Sequence, residues 1–147
     1  MQDKEIIDKI EKLLDWYLQH GSNTTIENLL NFQDKLSLLS VNLAHITALS
    51  KGSYLRTYFQ RKFTFSTKKL TFIKDGEKIG TAEEKARVQI GDIKEVEIQE
   101  EEYTDLLNLK LRQINRVLQA VQQRISYQKN EKERLLRLSH DNKTINT

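Results

Sequence analysis

Proline is absent from the 147 residues, cysteine is absent, and glycine occurs only five times. Without proline and with so little glycine the chain lacks most of the residues that punctuate turns and short strands. Long uninterrupted helices are then the simplest structure open to it, and an all-β fold is excluded. Without cysteine there is no disulfide framework and no thiolate chemistry. No apolar run approaches the roughly 18 residues of a membrane span. The opening MQDKEIIDKI carries charges where a signal peptide would carry an apolar core, so a cytoplasmic protein with no membrane contact is expected.

Catalytic patterns are missing as well. His20, His45 and His140 stand far apart and in no metal-ligand spacing. Glu97, Glu100 and Glu101 share a helical face but lack the Glu-x-x-His pairs of a di-metal bundle. No Gly-rich phosphate loop and no G-x-S-x-G occurs, and the lone serines Ser22 and Ser53 have no recognisable base. The expectation is a protein with no metal, no cofactor and no enzymatic activity.

What is present is helical periodicity. With 37% apolar and 31% charged residues the chain is poor in apolar content for a globule, but suited to paired helices with wet outer faces. From Ile79 to Leu135 apolar residues recur at steps of three and four. They place Ile79, Ala82, Ala86, Ile90, Ile93, Val96, Glu100, Tyr103, Leu107, Leu111, Ile114, Leu118, Val121, Ile125, Gln128, Lys132 and Leu135 on one seam. Leu107, Leu111, Ile114, Leu118, Val121 and Ile125 are its most apolar run and the expected interaction seam, and a partner helix is required. Glu100, Gln128 and Lys132 are expected to weaken packing while restricting register.

Ahead of this seam, Asp3 can cap a helix whose stripe is Ile6, Ile7, Ile10, Leu13, Leu14, Tyr17 and Leu18, and Gly21 stops it. Thr24 with Glu27 has capping-box spacing and opens a second helix. Its seam is Leu29, Phe32, Leu36, Leu39, Leu43 and Ile46, widened by Leu30, Leu38 and Leu49. Phe63, Phe65, Thr67, Thr71 and Ile73 alternate with polar residues, which suits a strand as well as a helix. Asp75-Gly76 then allows either a small β-hairpin near 70–80 or a plain loop. Thr81 with Glu84 predicts the start of a third helix, interrupted only by Gly91. A helix over 81–138 is about 87 Å long, so the fold expected is an elongated antiparallel helical hairpin or coiled coil with a short N-terminal helix. It reads as one domain over 1–138, with helices at about 3–20, 25–62 and 81–138, and a flexible tail at 139–147.

Charge is segregated along the chain. No acidic residue lies between Asp34 and Asp75, and Lys51, Arg56, Arg61, Lys62, Lys68, Lys69 and Lys74 fall in that span among Tyr54, Tyr58, Phe59, Phe63, Phe65 and Phe72. Basic groups neutralise phosphates and rings stack on bases, so Arg56, Tyr58, Arg61, Lys62, Phe63, Lys68 and Lys69 are candidate single-strand nucleic-acid contacts. The alternative begins with the acidic block Asp92, Glu95, Glu97, Glu100, Glu101, Glu102 and Asp105, opposed only by Lys94. Antiparallel pairing about the 75–80 turn places that block opposite residues near 50–63, where the charges would meet each other and the rings would be core. A second basic region, Lys110, Arg112, Arg116, Arg124, Lys129, Lys132, Arg134 and Arg137, is offset only by Glu131 and Glu133. It reads either as a solvated face or as a surface for an acidic partner or phosphate.

Gly80-Thr-Ala-Glu-Glu-Lys-Ala, the acidic run ending Glu102-Tyr103, and Gln122-Gln-Arg-Ile-Ser-Tyr-Gln-Lys-Asn-Glu131 together resemble small helical proteins of unassigned role encoded by bacteriophages. The resemblance covers roughly the C-terminal half and implies an accessory protein of the host cytoplasm or the virion, with no functional residues to carry over. The function expected is that of a non-enzymatic helical interaction protein, acting on a protein partner or by self-association as a homo-oligomer. Sequence-tolerant nucleic-acid binding and a structural role in a virion are the alternatives.

Overall fold

The computed structural model describes residues 2–145. Its helices are α1 (Gln2–His20), α2 (Ile26–Lys74), α3 (Ile79–Gln89) and α4 (Gly91–Ile145). The chain is all-α and its long helices pair as a hairpin, with no strand among the described residues.

The expected strand option at 70–80 is therefore corrected, and the second helix ends at Lys74 rather than near 62. Local hydrogen bonding explains both. The hydroxyls of Thr67 and Thr71 donate back to the carbonyls of Phe63 and Thr67, each at 2.9 Å, so the alternating threonines are absorbed by the helix. Asp75-Gly76 serves as a helix stop: the Gly76 amide donates to the Ile73 carbonyl at 3.1 Å and the Glu77 amide to that of Phe72 at 3.0 Å. This is a Schellman motif, and it places Gly76 at φ 95°, a conformation that side chains with a Cβ disfavour.

Neither expected capping box forms as read. α2 is capped by Thr25, whose hydroxyl accepts the Asn28 amide at 3.2 Å, while Thr24 accepts the Asn28 side-chain amide at 3.0 Å. α3 begins at Ile79 with Lys78 as its N-cap and no side-chain cap, which leaves Thr81 inside the first turn. The single third helix expected is two, divided at Ile90 and Gly91. Hydrogen bonds still run from the Ile90 amide to Ala86 at 3.1 Å and from the Lys94 amide to Ile90 at 3.0 Å. Of the expected tail, residues 139–145 are helical, and 146–147 lie outside the described residues.

The chain divides into two compact units, one of residues up to 44 with 110 onward, the other His45–Leu109. In the first unit α1, the start of α2 and the distal part of α4 surround Ile10, Leu14, Leu29, Phe32, Leu36, Leu43, Ile114, Val121 and Ile125, all buried. α1 turns back into α2 at Gly21, where an added Cβ would come within 2.5 Å of the Tyr17 ring, so only glycine fits. Trp16 and Tyr17 both stack on Phe32, with ring centres 5.5 and 5.1 Å apart. α4 runs parallel to α1: Lys110 pairs with Glu11, Arg124 lies 5.2 Å from the Tyr17 ring, and Gln128 donates to the Thr24 carbonyl at 3.3 Å. Gln128 thus has a defined partner at its seam position. Leu30, Leu38 and Leu49, expected to widen the buried stripe of α2, are exposed instead.

In the second unit the distal part of α2 runs antiparallel to α3 and the start of α4. The register is fixed by Ser50 with Thr104, Thr57 with Glu100, Arg61 with Glu97, and Lys69 with Glu83. Its buried apolar residues are few: Ile46, Ala82, Ala86, Ile90 and Leu107.

Candidate interaction surface

A strict heptad counted from Ile90 lands on Ile93, Glu97, Glu100, Thr104 and Leu107, and these are the buried or half-buried positions of α4 in the second unit. Val96 and Tyr103, assigned to the seam for their apolarity, are 45% and 39% exposed. Register prevails over hydropathy here because α2 presents polar groups at the matching level. Ser50 and Thr104 share a hydrogen bond at 2.6 Å, and Thr57 donates to Glu100 Oε1 at 3.0 Å. Arg61 engages Glu97 with two nitrogens, its Nε meeting Oε2 and its second nitrogen reaching Oε1 at 3.2 Å. Forked pairing of this kind is geometrically selective. The Glu97 hydrogen bond is the main reason the Arg61 guanidinium holds its proton more tightly than usual, against an opposing desolvation effect. The Tyr54 phenol is raised, first by desolvation and then by Glu101 and Glu97. Nearer the turn, Lys69 donates to Glu83 at 2.8 Å and lowers the affinity of that carboxyl for its proton.

The seven candidate nucleic-acid contacts are thereby divided. Arg61 and Lys69 are committed to carboxylates of the same unit. Tyr58 is half-buried, with the Lys62 ammonium 4.5 Å and the Arg61 guanidinium 5.3 Å from its ring centre. Lys68 is exposed, but nine residues from Phe59 it stands about half a turn around the helix. Arg56, Lys62 and Phe63 remain together on the outer side of α2, and Phe59 joins them.

The two segments face each other in the register expected, but among the described residues their charges meet in one ion pair, Arg61 with Glu97, and the rings do not form a core. Phe59 is 64% and Phe63 74% exposed, whereas Tyr54, Phe65 and Phe72 are half-buried. Leu55, Phe59, Phe63 and Leu70 follow one another at helical spacing along a single outer stripe, 39% to 74% exposed. The sequence carried this signal in the spacing of Leu55, Phe59 and Phe63, which no seam position of α2 shares. On α4 the outward positions are acidic: Glu95, Glu102 and Asp105 are exposed beside Ile98, Leu106 and Leu109.

No family model matches the chain, and no curated protein or solved structure shows significant similarity to it. The site therefore rests on its own geometry.

The interaction seam expected at Leu107, Leu111, Ile114, Leu118, Val121 and Ile125 is largely covered within the chain. Leu107, Ile114, Val121 and Ile125 are buried, and Leu111 and Leu118 are half-buried. From Lys132 onward every described residue of α4 is exposed, including the expected seam positions Lys132 and Leu135. Of the distal basic residues, Lys110 and Arg124 are engaged as described, and Arg134 pairs with Glu131 at 3.5 Å across the helix surface. No cluster able to hold a metal ion occurs among the described residues, and no described helix is long and apolar enough to cross a membrane.

Proposed function

We propose that this chain is a non-enzymatic helical interaction protein that binds protein, with the outer stripe of α2 from Leu55 to Leu70 as its contact surface. The observation that carries the reading is the exposure of Phe59 and Phe63 in one row with Leu55 and Leu70, edged by Arg56 and Lys62, which make no ion pair among the described residues. Exposed apolar stripes rimmed by polar groups mark interaction sites, and aromatic residues and arginine are the side chains enriched at protein interfaces. The partners of Arg61 and Lys69 are internal, so the chemistry left on the surface is chiefly apolar and aromatic. A bacteriophage accessory role, in the host cytoplasm or the virion, belongs to this proposal on the strength of the resemblance alone. Closed oligomers would favour a regulatory protein and open polymers a virion component.

The second reading, sequence-tolerant nucleic-acid binding, is favoured by the same Arg56 and Lys62, which make no ion pair among the described residues, beside the exposed rings of Phe59 and Phe63. A photoreactive p-benzoylphenylalanine at position 63, in cells producing the chain, separates the two. Covalent adducts with polypeptide are expected. Adducts with nucleic acid alone, together with anisotropy-detected binding whose logarithm falls linearly with log salt and weakens in Arg56→Ala/Lys62→Ala, would replace the protein reading by the nucleic-acid one. An absence of adducts would sink both.

A further inference from the structure

We infer that the occupant of the α2 stripe is the acidic outer face of α4 from a second copy of this chain. The inference rests on the reading of that stripe as a protein-docking surface and names its partner. Within the second unit the two outward faces are complementary in both respects that association requires. The α2 face presents Leu55, Phe59, Phe63 and Leu70 with exposed Arg56, Lys62 and Lys74 beside them. The α4 face presents Ile98, Leu106 and Leu109 with exposed Glu95, Glu102 and Asp105. None of these six charged residues makes an ion pair within the chain among the described residues; Lys62 lies over the Tyr58 ring, and the other five are available to an opposite charge on another molecule.

Intramolecular satisfaction is ruled out by the register. The inward carboxylates Glu97 and Glu83 already take Arg61 and Lys69, while the outward carboxylates lie on the side of α4 turned away from α2. A basic apolar stripe and an acidic apolar stripe on opposite sides of one helical pair cannot touch each other, but each fits the other on a neighbouring molecule. Contact between two different faces is heterologous, so it leaves one face of each kind free at the ends and allows addition of further copies. The charges steer the faces together and set their alignment, and the apolar rows exclude water between them.

Sedimentation velocity across protein concentrations at low and high salt tests this. The wild-type chain is expected to exceed its monomer mass of 17.3 kDa increasingly with concentration, and less so in high salt. Phe59→Gln/Phe63→Gln removes one face, and Glu95→Lys/Glu102→Lys/Asp105→Lys removes the other. All five positions are exposed, and helicity by circular dichroism verifies the fold of each variant. Each variant alone is expected to sediment as a monomer. Mixed in equal amounts they are expected to form a complex of two chains and nothing larger, because each supplies the face the other lacks. A wild-type monomer at every concentration in low salt overturns the inference, as does association that neither variant weakens or a mixture that stays monomeric. If the photoreactive group at position 63 joins the chain to a polypeptide of another mass while the wild type sediments as a monomer, the second copy is excluded and the protein-docking reading stands.

Discussion

The first unit and the second are built on the same helical step but fill it with different chemistry. Around Ile114, Val121 and Ile125 the interior is aliphatic and aromatic, as in an ordinary small bundle. Between Ser50 and Arg61 the corresponding positions are hydroxyls, carboxylates and a guanidinium, and the large apolar side chains stand outside at Phe59 and Phe63. Apolar burial stabilises without direction, whereas paired polar groups contribute less net energy and are strict about geometry. The first unit is thus organised for stability. The second is organised for register.

Substitutions can break this contrast in order of expected effect. Ile114→Ala, in the fully buried interior of the first unit, should cost about 2–5 kcal/mol in chemical denaturation, through lost burial and the cavity left behind. Arg61→Ala should cost about 2–3 kcal/mol because it leaves the largely buried Glu97 without its partner. The replacement of both by leucine should recover that loss or exceed wild-type stability, and a double variant no more stable than the single would show that the pair itself is stabilising. Thr57→Val should cost about 1–2 kcal/mol, since Glu100 would lose the donor on Oε1 while its buried Oε2 already lacks one.

The smallest effect concerns pH. The Lys69 ammonium holds the Glu83 carboxyl below its ordinary value, so the folded chain binds that proton more weakly than the unfolded chain does. Its contribution is fully present above the ordinary carboxylate range and is lost as pH falls through the folded value. The pair is about a third exposed, so Glu83→Gln should flatten the acid limb of a stability profile only slightly.

Periodicity made the helices and the antiparallel facing of α2 with the start of α4 legible in the sequence, though of the opposed charge blocks it is Arg61 and Glu97 that pair. It failed where hydropathy and register disagree. Val96 and Tyr103 are more apolar than Glu97 and Thr104, and only the side chains supplied by α2 at the same level show why the polar residues turn inward. Asp75-Gly76 was ambiguous for a similar reason, because the dipeptide that suits a hairpin also suits a Schellman stop and the hydrogen bonds of Gly76 and Glu77 decide between them. The surface stripe was half visible. Its basic and aromatic residues stood out as a cluster, but the commitment of Arg61 and Lys69 to carboxylates some fourteen to thirty-six residues away is a tertiary fact.

The stacking of Trp16 on Phe32 has a practical consequence. Trp16 is the sole tryptophan of the chain and belongs to the first unit, whereas Tyr54 and Tyr58 belong to the second. Indole emission therefore watches one unit alone, while far-ultraviolet ellipticity sums over both. The molecule carries its own two-channel gauge of cooperativity: coincident melting in the two signals means the units unfold as one, and separated transitions mean that each can open while its neighbour holds.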